Sequence, residues 1–161
     1  MRSFRALNSS GLTLIELVIA MAIMAILAAA VLPMAEVTVT RTKELELRRS
    51  LREIRTAIDE YKDDYDKAVE EKKTFAAVDE TGYPESLESL LEGNDWGGLY
   101  SYKKRYLRRI PKDPFDRYDE GWGECSYEDQ PPCSSKGGRD LYDVSTRSND
   151  VALDGSYYNE W

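Results

Sequence analysis

Apolar positions fall into three regimes along the chain. From Leu12 to Ala35, 24 residues, Glu16 is the only charge, and the run from Leu17 to Leu32 is unbroken. As a helix this stretch is about 36 Å long, enough to cross a bilayer. From Glu36 to Lys72 the character changes, with 20 of 37 residues charged. Yet Leu47, Leu51, Ile54, Ile58, Tyr61, Tyr65 and Ala68 recur at alternating spacings of 4 and 3. That is one apolar stripe on an amphipathic helix. No glycine or proline interrupts residues 34–81. The pattern predicts one helix from about Leu12 to about Lys72, apolar all round at first and striped later. Pro33 should kink it, because proline lacks the helical N–H and clashes with the preceding turn. The first half needs lipid or other helices around it. The second half needs a domain to pack on.

Residues 73–161 are punctuated by glycine and proline. Tyr83-Pro84-Glu85 predicts the start of a short helix, with proline at the first helical position. Leu87, Leu90 and Leu91 give it an apolar face, and Gly93 can end it. Pro111 and Pro114 rule out a regular helix around them and predict a fixed turn. Strands are expected from Gly121 onward. Leu141-Tyr142-Asp143-Val144 alternates in polarity, and Tyr157, Tyr158 and Trp161 suit a terminal strand. Ser145–Gly155 has the composition of a loop.

Glu16 is the costliest residue in this pattern. A carboxylate at the bilayer centre costs about 2.5–3.5 kcal/mol on insertion scales. A cleaved secretory signal is the competing reading of the apolar run, with Ala28, Ala29 and Ala30 imitating its cleavage site. The run continues past them.

Charge narrows the partners. The formal net charge is −8, so nucleic acid is not expected, since phosphate binding needs clustered positive charge. Arg41 to Arg55 carries a net of +3 and Asp59 to Glu71 a net of −5. Acids near a helix C-terminus oppose its macrodipole. They form either a solvated face or a surface that meets the basic stretch of a staggered neighbour. Lys103, Lys104, Arg105, Arg108, Arg109 and Lys112 form a basic patch with the same two readings: solvated surface, or contact with an acidic partner.

The two cysteines, Cys125 and Cys133, in a chain without histidine, suggest one disulfide in an oxidising compartment. Closing that nine-residue loop would stabilise the fold by about 2.6 kcal/mol in the chain-entropy picture. Two free thiols are the alternative. Zinc is disfavoured, because two cysteines fill only half of a tetrahedral site. Lack of histidine also removes Ser-His-Asp and Cys-His catalysis. The competing class is a membrane-tethered enzyme or ligand-binding domain. Only 89 residues follow Lys72, which leaves little room for a substrate cleft. No enzyme is expected.

The string Gly11-Leu12-Thr13-Leu14-Ile15-Glu16, the apolar run behind it and Pro33 resemble the N-terminal processing motif of type IV pilins and pseudopilins. Ser10 and Leu12 depart from that motif's usual basic and Phe or Met residues. The resemblance implies cleavage between Gly11 and Leu12 by a prepilin peptidase, then methylation of the new N-terminus at Leu12. It places Glu16 at the family's glutamate and Pro33 at its recurrent helix-breaking proline. The soluble part is similar to the major, G-type pseudopilins of type II secretion. The similar segments are Tyr83-Pro84, Tyr106 through Pro114, Asp140 through Val144, and Ala152 through Gly155 to Trp161. The Cys125–Cys133 insert lies outside that pattern.

The implied fold is α+β, a long N-terminal helix packed on a small C-terminal antiparallel sheet. The implied segments are a leader at 1–11, a transmembrane and assembly helix at 12–35, an amphipathic continuation at 36–72 and a periplasmic head at 73–161. The implied role is a structural subunit of a secretion pseudopilus; a type IV pilin of a surface pilus for adhesion, motility or DNA uptake is the alternative. Partners would be further copies of the chain, minor pseudopilins, the prepilin peptidase, an inner-membrane assembly platform and membrane lipid. Many such proteins bind Ca²⁺ in the C-terminal loop. Here Asp150, Asp154, Asn149 and Ser148 are the candidate hard-oxygen donors, with a plain polar turn as the alternative.

The physics of the motif follows from charge. Cleavage would leave a positive amine on Leu12 at the membrane edge. Glu16 of one subunit could pair with the amine of the next, relieving the penalty of a carboxylate in lipid. Apolar helices pack in many offsets, but only one satisfies the acid. Snorkelling of Glu16 to the headgroups is the alternative. Counting Lys and Arg at the two ends of the span does not set its orientation. The processing motif and the expected disulfide place the C-terminal part outside the cytoplasm.

Overall fold

A computed structural model of the chain describes residues 13–75, 81–130, 132, 133 and 136–161. Its elements are α1 (Leu14–Glu70), α2 (Leu87–Glu92), β1 (Gly123–Cys125), β2 (Asp143–Ser145) and a closing 3-10 helix, Tyr158–Glu160. The chain divides into two units, one ending at Thr40 and the other running from Arg41 to Trp161. The architecture is α+β, a long N-terminal helix with a small antiparallel sheet. The first unit consists, in its described part, of the apolar helix, which runs through Pro33.

The second unit is organised on the apolar stripe of α1. Leu47, Leu51, Ile54 and Ile58 are all at most 2% exposed. They join Leu87, Leu90, Leu107, Trp122, Leu141, Val144, Ala152 and Tyr158 in one core. Further along the stripe, Tyr65 and Ala68 form a second cluster with Trp96. Burying each large apolar side chain contributes about 1.5–3 kcal/mol, so this stripe is what holds the irregular segments onto the helix.

The sheet is minimal. β1 and β2 pair antiparallel, with Gly123 opposite Ser145, Glu124 opposite Val144 and Cys125 opposite Asp143. Arg55 ties it to α1. The guanidinium donates to both carboxylate oxygens of Asp143, at 2.6 and 3.2 Å, and to the carbonyls of Val144 and Trp161, at 3.2 and 2.8 Å. The Trp122 indole donates to the Pro111 carbonyl at 2.8 Å, which anchors the proline-flanked turn beside β1.

Two sequence expectations are corrected. The short helix begins at Leu87 with Ser86 as N-cap, not at Pro84. The Pro84 carbonyl instead accepts the Leu141 N–H at 2.6 Å, so it is committed to the distant segment that leads into β2 rather than to a helical turn. Gly93 does end α2, at φ 72, and a Cβ there would come within 2.3 Å of the Lys104 carbonyl oxygen. The expected terminal strand is also replaced. Val151 and Tyr157 form one isolated bridge, and the 3-10 helix follows it. The reason is the spacing of Tyr158 and Trp161. Residues three apart face opposite sides of a strand but the same side of a 3-10 turn. Their rings meet edge-on at 5.1 Å, and Tyr158 stacks on Phe115 at 4.0 Å.

Cys125 and Cys133 are joined in a disulfide with Cα atoms 5.3 Å apart. Asp129 closes the same loop by accepting the N–H groups of Ser126 and Gly137 at 2.8 and 2.9 Å. Replacing both cysteines by serine should lower the unfolding free energy by about 2.6 kcal/mol, read as a fall in the urea midpoint. An unchanged midpoint would mean that the Asp129 clip alone holds the loop.

Candidate assembly site

Thr13 caps the start of α1. The Thr13 hydroxyl accepts the Glu16 N–H at 3.3 Å, and the Thr13 carbonyl accepts the Leu17 N–H at 3.2 Å. Glu16 therefore stands in the first helical turn, where unpaired N–H groups favour a negative charge. Its side chain is exposed. Thr13 was not singled out from the sequence, although the Thr-x-x-Glu spacing carries the signal. Gly11 and Leu12 lie outside the described residues. Behind Glu16 the apolar side chains point outward: Leu14 is 83% exposed, Met24 72% and Ile26 72%. By length and composition this helix can cross a membrane. An all-round apolar surface of this extent requires lipid or other helices.

In the second unit, one acid of the 59–71 stretch is not part of a solvated face. Asp64 is 1% exposed. It accepts from Lys104 Nζ at 2.6 Å and from the hydroxyls of Tyr100 and Tyr106, each at 2.9 Å. The Trp96 indole donates to the Tyr106 oxygen at 2.7 Å, which extends the network. Burial pushes the Asp64 carboxyl up, but the hydrogen bonds from Lys104, Tyr106 and Tyr100 prevail and hold it below its ordinary value. For Lys104, burial works against the charge, and the Asp64 carboxylate overrides it and raises the ammonium. Burial, then the bond to the Asp64 carboxylate, raises the Tyr106 hydroxyl despite the opposing indole bond. Sequence reading left Lys104 in the basic patch; the structure removes it to an internal pair. Only tertiary contacts single out Asp64 among the acids around it.

This network fixes the segment that carries Arg108 and Arg109. Tyr106 and Leu107 face inward, and the two arginines face out. Together with Arg49, Arg52, Glu53, Thr56, Ala57 and Glu60 of α1, residues 106–109 line a surface groove of about 840 Å³. Lys112 points elsewhere, to Asp119 at 3.1 Å.

The four calcium candidates are each engaged locally. Asp150 pairs with Arg117 at 2.9 Å. Asp154 accepts the N–H and hydroxyl of Ser156 at 3.0 and 2.6 Å and faces Arg48 at 3.5 Å. These contacts, the Ser156 hydroxyl first, hold the Asp154 carboxyl below its usual value. The Asn149 side-chain oxygen accepts from Asn159 at 2.7 Å, and the Ser148 hydroxyl from the Asp150 N–H at 3.3 Å. Among the described residues no three His, Cys, Asp or Glu side chains gather closely enough to hold a metal ion.

Residues 7–32 match the family model for the prokaryotic N-terminal methylation motif, the signal of type IV pilins and pseudopilins. The matched span holds Gly11, Leu12, Thr13 and Glu16 and stops one residue before Pro33. No curated protein and no solved structure matches the chain significantly.

Asp64→Asn should destabilise the second unit by about 2–3 kcal/mol at pH 7. That is below the 3–5 typical of a fully buried pair, because the Lys104 side chain stays 27% exposed. A depressed carboxyl contributes stability that is complete above the ordinary value near 4 and lost as pH falls through the lower folded value. The gap between wild type and variant, read by thermal melting of the detergent-solubilised chain, should therefore narrow from pH 7 to pH 2. A gap independent of pH would contradict an ionised Asp64.

Proposed function

We propose that the chain is a structural subunit of a type IV pilin-like filament, processed at Gly11 and assembled through its N-terminal helix. One observation carries this reading. The methylation-motif match at 7–32 falls on a helix whose apolar surface is unburied and whose first turn holds a lone carboxylate. In this reading the leader is removed by a prepilin peptidase, and Leu12 becomes a methylated, positively charged terminus. Glu16 of one copy then pairs with that amine on the next. The Thr13 cap supports the pairing, because it sets Glu16 in the first turn of α1, close to where the new terminus begins. Pro33 opens one backbone carbonyl to neighbouring helices.

The finer assignment is to a secretion pseudopilus, spanning the inner membrane once with its head in the periplasm. The resemblance of Tyr83-Pro84 and of Tyr106 through Pro114 to G-type pseudopilins supports it. The disulfide supports an oxidising compartment for the head. A surface pilus shares every feature of the N-terminal helix. Minor pseudopilins and an inner-membrane platform would complete the assembly. Deleting the gene and comparing exported proteins with surface pili separates the two; lost pili with normal secretion would reject the pseudopilus.

Calcium in the C-terminal loop belongs to the same proposal. The oxygens of Ser148, Asn149, Asp150 and Asp154 suit a hard cation, which would replace Arg117 and Arg48 at the two carboxylates. Millimolar calcium should then raise the melting temperature over that in a chelator, and Asp150→Asn should abolish the rise. Identical melting with and without calcium would end this reading.

For processing, mass spectrometry of the membrane fraction should show an N-terminus at methylated Leu12; an intact leader would sink the filament reading. Glu16→Ala should still insert and be cleaved but assemble about tenfold or more below wild type, given the cost of the unpaired terminus. Undiminished filaments from that variant would refute the pairing.

A further inference from the structure

Four arginines of the groove, Arg49, Arg52, Arg108 and Arg109, are exposed. None of them has an ion pair among the described residues. This is unexpected in a chain of net charge −8, where carboxylates are plentiful. Glu53 and Glu60 also line the groove, leaving it positive by two charges. Its far wall is held in place from within, by the Asp64 bonds to Tyr106 and Lys104. The charges are thus preorganised for something outside the subunit.

The complementary surface is on the same unit. At about 100° per residue, Asp59, Asp63, Asp66 and Glu70 fall within an arc of about 60° on α1, and all four are exposed. Lys62 borders this arc, paired with Asp66 and 5.8 Å from the Tyr83 ring centre. Tyr83 stacks with Tyr127 at 6.2 Å, and Tyr142 meets both rings edge-on at 5.1 and 5.2 Å. Tyr127 and Tyr142 remain 61% and 45% exposed. Tyr127 is carried by the disulfide loop. An acidic strip edged by open phenol faces is a good receptor for guanidinium groups, which pair with carboxylates and stack on aromatic rings.

The two surfaces do not pair within one copy. Arg52, on the groove, shares the angular range of the acidic strip but lies about 10 Å before Asp59 along α1, beyond ion-pair reach. A contact between different patches of identical subunits is heterologous, and when repeated with a displacement along an axis it produces an open filament. We propose that the arginine groove of one copy receives the acidic, tyrosine-edged face of a second copy. Arg49, Arg52, Arg108 and Arg109 then pair with Asp59, Asp63, Asp66 and Glu70 and cover Tyr127 and Tyr142. The inference rests on the filament reading but adds to it a second register device, outside the membrane and built from this chain's own disulfide loop.

Charge reversal and rescue in the full-length chain test it, with filaments sedimented from the native host. Arg52→Glu with Arg109→Glu should cut the sedimented fraction about tenfold or more, and so should Asp63→Lys with Asp66→Lys, because each sets like charges together. Combining all four changes in one chain should restore assembly to within about threefold of wild type. Tyr127→Ser with Tyr142→Ser should reduce assembly while leaving the disulfide intact. Melting and Leu12 methylation are measured for every variant; where a reversal misfolds, the Arg→Gln and Asp→Asn versions take its place. Wild-type assembly by either reversed chain, or a four-change chain no better than its parents, overturns the proposal and leaves the filament reading standing. No filaments from wild type overturns both.

Discussion

The apolar stripe of α1 from Leu47 to Ala68 is the surface on which the second unit depends. Among the described residues nothing else in the unit is long enough to carry a core. α2 has six residues, each strand and the closing 3-10 helix have three, and the other described residues beyond α1 are turn and loop. Such segments have few hydrogen bonds of their own and order only by burying Leu87, Leu90, Leu107, Trp122, Leu141, Val144 and Tyr158 against the helix. Hydrophobic burial supplies the bulk of that stabilisation.

Burial is not directional, so the alignment of loops on the helix comes from polar ties. Arg55 grips β2, and Glu44 accepts the Leu153 N–H and the Tyr158 hydroxyl at 2.7 and 3.0 Å. Asp64 gathers Lys104, Tyr100 and Tyr106. These three side chains stand along one helix and each claims a different segment. Asp64 is buried, and a buried charge that lost its partners would be costly, so this tie admits one docking. Arg55 and Glu44 are only partly covered and add direction through their several hydrogen bonds. The arginine groove is a consequence of the Asp64 tie.

The first unit obeys the opposite rule. The apolar side chains of its membrane-length run face outward, and the one carboxylate of that run, Glu16, stands at the helix start beside a threonine cap. Glu16 contributes nothing to the fold of its own subunit beyond a favourable place near the helix N-terminus. In the proposed filament it gains its partner only when the leader is cut and a neighbour arrives. In that proposal the cost of one charge in lipid is what would couple processing to assembly.

The helix was legible from residue spacing alone. Its apolar first half, its stripe at 4 and 3 and its span to within about two residues could be read directly, because periodicity is a local property. The methylation motif was legible for the same reason: Gly11 through Glu16 is one contiguous string. Gly93 as a helix end was local too. The tertiary structure decided what distance along the chain conceals. It chose Asp64 from seven acids between Asp59 and Glu71, withdrew Lys104 from the basic patch and moved the start of α2 past Pro84. It also turned Tyr158 and Trp161 into a 3-10 turn. In the first three cases a contact between residues far apart in sequence outweighed a local preference, and in the fourth the spacing of Tyr158 and Trp161 was joined by the distant Phe115 ring. Local preferences are worth tenths of a kcal/mol to about one, whereas leaving a buried charge unpaired or an aromatic ring in water costs more.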